Sequence, residues 1–124
     1  MVSESFIEQP TKKRIDIANT CFKMGKVDIR FELNGTTFIW NAKKAAANAV
    51  KHDDIIFEQA ATVFFDPFFR LVDASRNDEA RDAVIGYDAQ SRMLFVVHVD
   101  IEDEAIRIIS ARKATHEEQK NYDL

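Results

Sequence analysis

Past Asp66-Pro67 the hydrophobic pattern changes period, and no other feature limits the fold of this chain as much. Phe68–Asp73, Ala83–Tyr87, Met93–Val99 and Ala105–Ser110 alternate apolar with polar residues, the signature of strands with one buried face. Their connections are short, with turn residues at Asp88–Ser91 and a charged link at Asp100–Glu104. Short links between successive strands favour antiparallel pairing, so the segment predicts an antiparallel meander with one face left for helices to cover.

The covering elements precede it. Asn34-Gly35 is a type I′ turn signal between Val27–Leu33 and Thr36–Trp40, which predicts a β-hairpin. Asn41 can cap a helix over Ala42–His52, and Asp53-Asp54 can cap a second over Phe57–Phe65, whose Phe57, Ala60, Ala61 and Phe64 share one face. Pro67 stops that helix. At the other end, Thr115 and Glu118 form an S/T-x-x-E capping box that starts a short C-terminal helix, His116–Tyr122. The reading is an α+β domain over residues 26–124, preceded by an N-terminal extension, 1–25, in which Ile15, Ala18, Cys21 and Phe22 have helical spacing.

Composition removes several classes of function. Hydrophobic residues are 46% of the chain and Gly plus Pro only five, which fits a packed core rather than a disordered segment. No apolar run approaches the roughly 20 residues that cross a bilayer, and Met1–Thr20 is charged throughout, so a cytoplasmic location without membrane contact is expected. Cys21 is the single cysteine, which excludes an internal disulfide. Glycines 25, 35 and 86 are too scattered for a phosphate loop, and neither HExxH nor CxxC occurs. Histidines 52, 98 and 116 lie far apart in sequence, so neither a metal site nor a cofactor is expected, and His98 reads as a hydrogen-bonded structural histidine in a strand.

A net charge of −4 argues against indiscriminate nucleic-acid binding. The distribution leaves room for a local basic patch, because Val72–Glu104 holds nine acidic and three basic residues while Trp40–His52 carries three lysines and no acid. Lys44, Asn48, Lys51 and His52 fall at i, i+4, i+7 and i+8, one polar stripe of a helix with alanines 42, 45, 46 and 49 opposite. His52 at the helix C-terminus either complements the dipole or serves as a cationic anchor or acid. Glu58 suits the dipole at the start of the second helix. Glu79 and Arg81, two apart on an extended segment, face the same way and fit either a surface ion pair or a phosphate clamp beside a general base. Arg107, Arg112 and Lys113 lie on the last strand and at its exit, where guanidinium forks recognise phosphate or pair with local carboxylates.

Taken in order, Trp40-Asn41, Lys44 to Asn48, Lys51-His52, Phe57-Glu58, Asp66-Pro67, Glu79 to Arg81, Ile85-Gly86 and the block from Ile106 to Thr115, with Glu118 and Tyr122, resemble the BrnT-type toxin family. The resemblance covers about Phe38 to Tyr122. It implies a RelE-like fold, an antiparallel β-sheet packed against N-terminal helices with a short C-terminal helix. It also implies a type II toxin that cleaves RNA without a metal, and a BrnA-like antitoxin partner through which operator DNA is bound only indirectly. Residues carried over as catalytic are His52, Glu58, Glu79, Arg81, Arg107 and Arg112, with Lys44, Lys51 and Lys113 holding RNA. The chain departs from the family in its acidic balance, its N-terminal extension, and Ile101 where family members usually carry an arginine. Two readings follow, a ribonuclease toxin and a noncatalytic module of the same fold that binds an antitoxin.

Overall fold

A computed structural model describes residues 27–102 and 104–123; the helical spacing noted within 1–25 lies outside them. Strands β1 (Asp28–Leu33) and β2 (Thr36–Asn41) form the expected hairpin, with Asn34 and Gly35 both at positive φ (51° and 82°) as a type I′ turn requires. Helix α1 (Ala42–Lys51) follows at once, and the Asn41 side chain accepts the Lys44 N–H at 2.9 Å. Helix α2 (Phe57–Thr62) continues as a 3₁₀ turn, Val63–Phe65, before β3 (Arg70–Asp73). Then come β4 (Asp82–Tyr87), β5 (Met93–Ile101), β6 (Ala105–Lys113) and α3 (His116–Asp123).

These elements make an α+β structure with one six-stranded sheet in the order β1-β2-β6-β5-β4-β3. The meander is antiparallel throughout, but β2 runs parallel to β6, so the sheet is mixed rather than antiparallel. Only tight connections impose an antiparallel pair. β2 and β6 are separated by two helices and three strands, and their relative direction follows from how α1 and α2 lie across the sheet.

Two local expectations also change. Asp53 and Asp54 do not cap α2; both take positive φ (55° and 59°) in the turn that leaves α1, and the N-cap of α2 is Ile56, which offers no side-chain hydrogen bond. On α1 the supposed polar stripe splits, because Asn48 is buried while Lys44 and Lys51 are exposed. Asn48 Nδ2 donates to the carbonyls of Ile55 (3.2 Å) and Ala111 (2.9 Å), and its Oδ1 accepts the Ala111 N–H at 3.0 Å. One amide therefore joins α1, the turn before α2, and β6.

Helices α1 and α2 cover the inner face of the sheet. Phe38, Trp40, Val84, Leu94, Val96, Ile108 and Ala111 meet Phe57, Ala60, Ala61 and Val63 in a continuous core. Trp40 bridges the hairpin and α2, with Phe31 and Phe57 at centroid distances of 5.7 Å each. Asp66 pins the far edge: its carboxylate accepts the N–H groups of Phe68 and Tyr87 at 2.9 Å and the Tyr122 hydroxyl of α3 at 2.8 Å. Gly86 passes so close that a Cβ there would sit 3.0 Å from an Asp66 oxygen and 3.1 Å from Val63.

Candidate functional site

Register decides which side chains share the outer face. Arg30 lies opposite Ile39, Ile39 opposite Arg107, and Arg107 opposite Val99. The Ala74 N–H bonds the Arg81 carbonyl at 2.9 Å, so the β3–β4 ladder extends one residue before Asp82. Asp82 pairs with His98, and carrying that register one residue past the end of the β4–β5 ladder would bring Arg81 level with Val99. A single row thus reads Arg30, Ile39, Arg107, Val99, Arg81, with an arginine on every second strand. At about 4.8 Å per strand the neighbouring arginine Cα atoms stand roughly 10 Å apart, a gap that long guanidinium side chains can close.

The partners of these cations differ in kind. Arg107 contacts Asp28 through both terminal nitrogens, at 3.4 and 2.9 Å, and that hydrogen bonding raises its pKa against partial burial. Arg81 bonds Glu79 at 2.6 Å. The Asp28 and Glu79 side chains are 44% and 67% exposed, so water screens both pairs and an incoming phosphate can compete for the guanidinium. Arg30 is exposed on the same face and has no ion pair among the described residues. Composition did not single it out. The hairpin turn predicts its alternation, but only the β2–β6 pairing aligns it with Arg107.

Arg112 is committed elsewhere. Its two terminal nitrogens each hold a Glu118 oxygen at 2.8 Å, one also donates to the Lys113 carbonyl, and the guanidinium lies 4.3 Å over the Phe95 ring. Glu118 in turn accepts the Thr115 N–H, while its own N–H bonds the Thr115 hydroxyl, completing the predicted capping box. These contacts dock α3 on the outer face.

Hydrogen bonds from Arg112 hold the Glu118 pKa low against partial burial. For Asp66, burial pushes the pKa up, but hydrogen bonds from Tyr87, Phe68 and Tyr122 outweigh it and leave the carboxyl low. Tyr122 is pushed up to about 12 by burial and by Asp66. A lowered carboxyl pKa stabilises the folded state above its ordinary value, and that stability is lost as pH falls through and below 4.5 for Glu118 and 3.8 for Asp66. The raised phenol acts in the opposite sense, its contribution present below pH 10 and lost toward pH 12. Melting temperature is therefore expected to fall on acidification below about pH 4.5, and Glu118→Gln and Asp66→Asn should flatten that slope. Equal slopes in wild type and both variants would remove these carboxylates as its cause.

Lys51, His52 and Lys113 collect at the opposite end of β6. Lys113 lies 3.9 Å from Asp53, next to Lys51 and His52 at the C-terminus of α1. Glu58 opens α2 three residues beyond Ile55, whose carbonyl Asn48 holds. Six residues of strand separate Lys113 from Arg107, about 20 Å at the usual rise. His52 lies at that end, and Glu58 lies on α2, which packs on the inner face, so neither is brought to the Glu79, Arg81 and Arg107 group. Lys44 is exposed in the first turn of α1. Among the described residues one cluster has the donor set for a metal ion, Asp82, His98 and Asp100, and it faces inward, away from the arginine row.

A family profile described as ribonuclease toxin, BrnT, of type II toxin-antitoxin system matches residues 40–118, well over half of the chain. The chain belongs to the BrnT family. The matched span runs from Trp40, at the end of the hairpin, to Glu118 of α3, and includes every site residue expected from the sequence; Arg30 precedes it. Membership in a type II toxin family implies an antitoxin partner and an RNA target. No curated protein matches the chain. Among the described residues no helix is long and apolar enough to cross a membrane.

Proposed function

We propose that this BrnT-family protein is an endoribonuclease toxin whose reacting phosphate binds on the outer face of the sheet between Arg81 and Arg107. The arginine row carries this reading. Attack of a ribose 2′-hydroxyl on the adjacent phosphorus forms the 2′-O–P bond and breaks the P–O5′ bond through a transition state of increased negative charge. Two guanidinium groups can stabilise that charge, since Arg stays protonated and offers paired donors to phosphate oxygens. Glu79, the ion-pair partner of Arg81, takes the 2′-hydroxyl proton in this reading. The leaving 5′-oxygen takes a proton from water, and no metal is needed at the reacting phosphate. Arg30 holds a flanking phosphate, while Lys44, Lys51, His52 and Lys113 contact RNA farther along. Arg112 supports the face through Glu118 and Phe95.

In this reading the sheet and its covering helices are RelE-like, the protein acts in the cytoplasm, and a BrnA-like antitoxin neutralises it and carries any contact with operator DNA. A noncatalytic antitoxin-binding role is the second reading, favoured by the carboxylate partners of Arg81, Arg107 and Arg112 and by Ile101 in place of a cation. Incubating the purified chain with a defined RNA in EDTA separates the two. Cleavage leaving 2′,3′-cyclic phosphate ends, with growth arrest on expression that the antitoxin relieves, supports the toxin. Intact RNA and normal growth, with a stable antitoxin complex still formed, support the binder.

A further inference from the structure

On the inner face, at the far side of the sheet from the arginine row, Asp82 of β4 lies directly opposite His98 of β5, and Asp100 follows two residues later on the same face. One ligand atom from each of the three falls within 4.8 Å of the others. Neither carboxylate has an ion pair or a hydrogen bond among the described residues, so the oxygens of both are open to a ligand. His98 is 3% exposed, packed edge-on to Phe64 at 4.9 Å between centroids. Its Nδ1 meets the Val96 carbonyl at 3.5 Å. The described residues offer the His98 ring no other polar contact, so its second nitrogen is open to a ligand. A buried histidine with one ring nitrogen beside a backbone carbonyl and its ring beside two carboxylates matches the surroundings of metal-ligating histidines.

We infer that Asp82, His98 and Asp100 bind a divalent transition-metal cation, with zinc the best match to one imidazole and two carboxylates. Donor atoms about 2.1 Å from a common ion lie roughly 3 to 4 Å apart, a spacing the exposed Asp82 and Asp100 side chains reach by small rotations. The two carboxylates balance the ion's charge, and three protein ligands leave a coordination position for water. An open groove of about 370 Å³, lined by Thr36, Thr37, Asp100 and Glu104, leads to Asp100 from solvent. Such an ion would tie β4 to β5 at the end of the sheet where the β5–β6 register shifts between Val97 and His98.

Calorimetric titration of the metal-free full chain with Zn²⁺ tests this. One Zn²⁺ per chain is expected, with a rise in melting temperature. Asp82→Asn and Asp100→Asn, both at exposed side chains, should each weaken binding by at least about ten-fold while leaving the metal-free melting temperature near wild type. A chain carrying Cys21→Ser, His52→Asn and His116→Asn should bind as wild type does. Absence of Zn²⁺ binding, or affinity unchanged in both Asp variants, would overturn the inference, as would loss of binding in the triple variant with Asp82, His98 and Asp100 intact. The titration does not read RNA cleavage, so a chain that failed to cut RNA would leave the zinc result standing.

Discussion

Replacing Arg107 by alanine is expected to slow RNA cleavage by about a hundred- to a thousand-fold while the protein stays folded. The kinetic loss corresponds to one preorganised contact to transition-state charge, roughly 3 to 4 kcal/mol. Stability should change far less, because the Asp28 partner is 44% exposed and such pairs are worth about 0 to 1 kcal/mol. Arg81→Ala should behave alike. Arg30→Ala, removing a contact to a flanking phosphate, should mainly raise KM. Arg112→Ala should do the reverse of Arg107→Ala, lowering the melting temperature by releasing Glu118 of α3 and uncovering the Phe95 ring, with a smaller effect on the chemical step. Single-turnover cleavage and thermal melts of the four variants measure this separation. Full activity in folded Arg107→Ala and Arg81→Ala would take the arginine row out of the mechanism.

Asn48→Ala is expected to produce the largest loss of stability among single polar substitutions in α1, about 3 to 4 kcal/mol. Three hydrogen bonds disappear at once, and the Ala111 N–H that Asn48 had satisfied loses its partner inside the protein. A net bond contributes about 1 kcal/mol and an orphaned buried group costs about 1 to 3 kcal/mol more. For a domain of this size that loss lowers the melting temperature by roughly 15 to 25 °C. Lys44→Ala and Lys51→Ala, on exposed turns of the same helix, should move it by no more than a few degrees. A melt of Asn48→Ala within 5 °C of wild type would show that water replaces the amide in this clamp.

Asn48 also shows where reading residues in order stops. Its spacing from Lys44 and Lys51 put it on a polar stripe, and helical periodicity treats an amide as solvent-facing. The amide is instead buried because β6 presents the Ala111 backbone groups at the point where α1 crosses it, a fact of packing with no trace in local spacing. His98 and Asp82 give the same lesson. Sixteen positions apart on neighbouring strands, they become opposite partners only through the β4–β5 register, so a search for metal-ligand spacing along the chain passes over them.

Elements that depend on neighbouring residues were legible in the amino-acid sequence alone. The Asn34-Gly35 turn, the Asn41 cap, the Thr115 and Glu118 capping box, the antiparallel meander and the family all follow from short-range chemistry or from motifs in unbroken order. What the tertiary structure alone decided was every relation between distant segments. The parallel pairing of β2 with β6, the alignment of Arg30 with Arg107 across the sheet, and the separation of His52 and Lys113 from Arg107 are of this kind. The physical reason is common to them all: a turn or a cap is closed by groups a few residues apart, whereas strand order and register are set by which faces bury together, and that energy belongs to the assembled core.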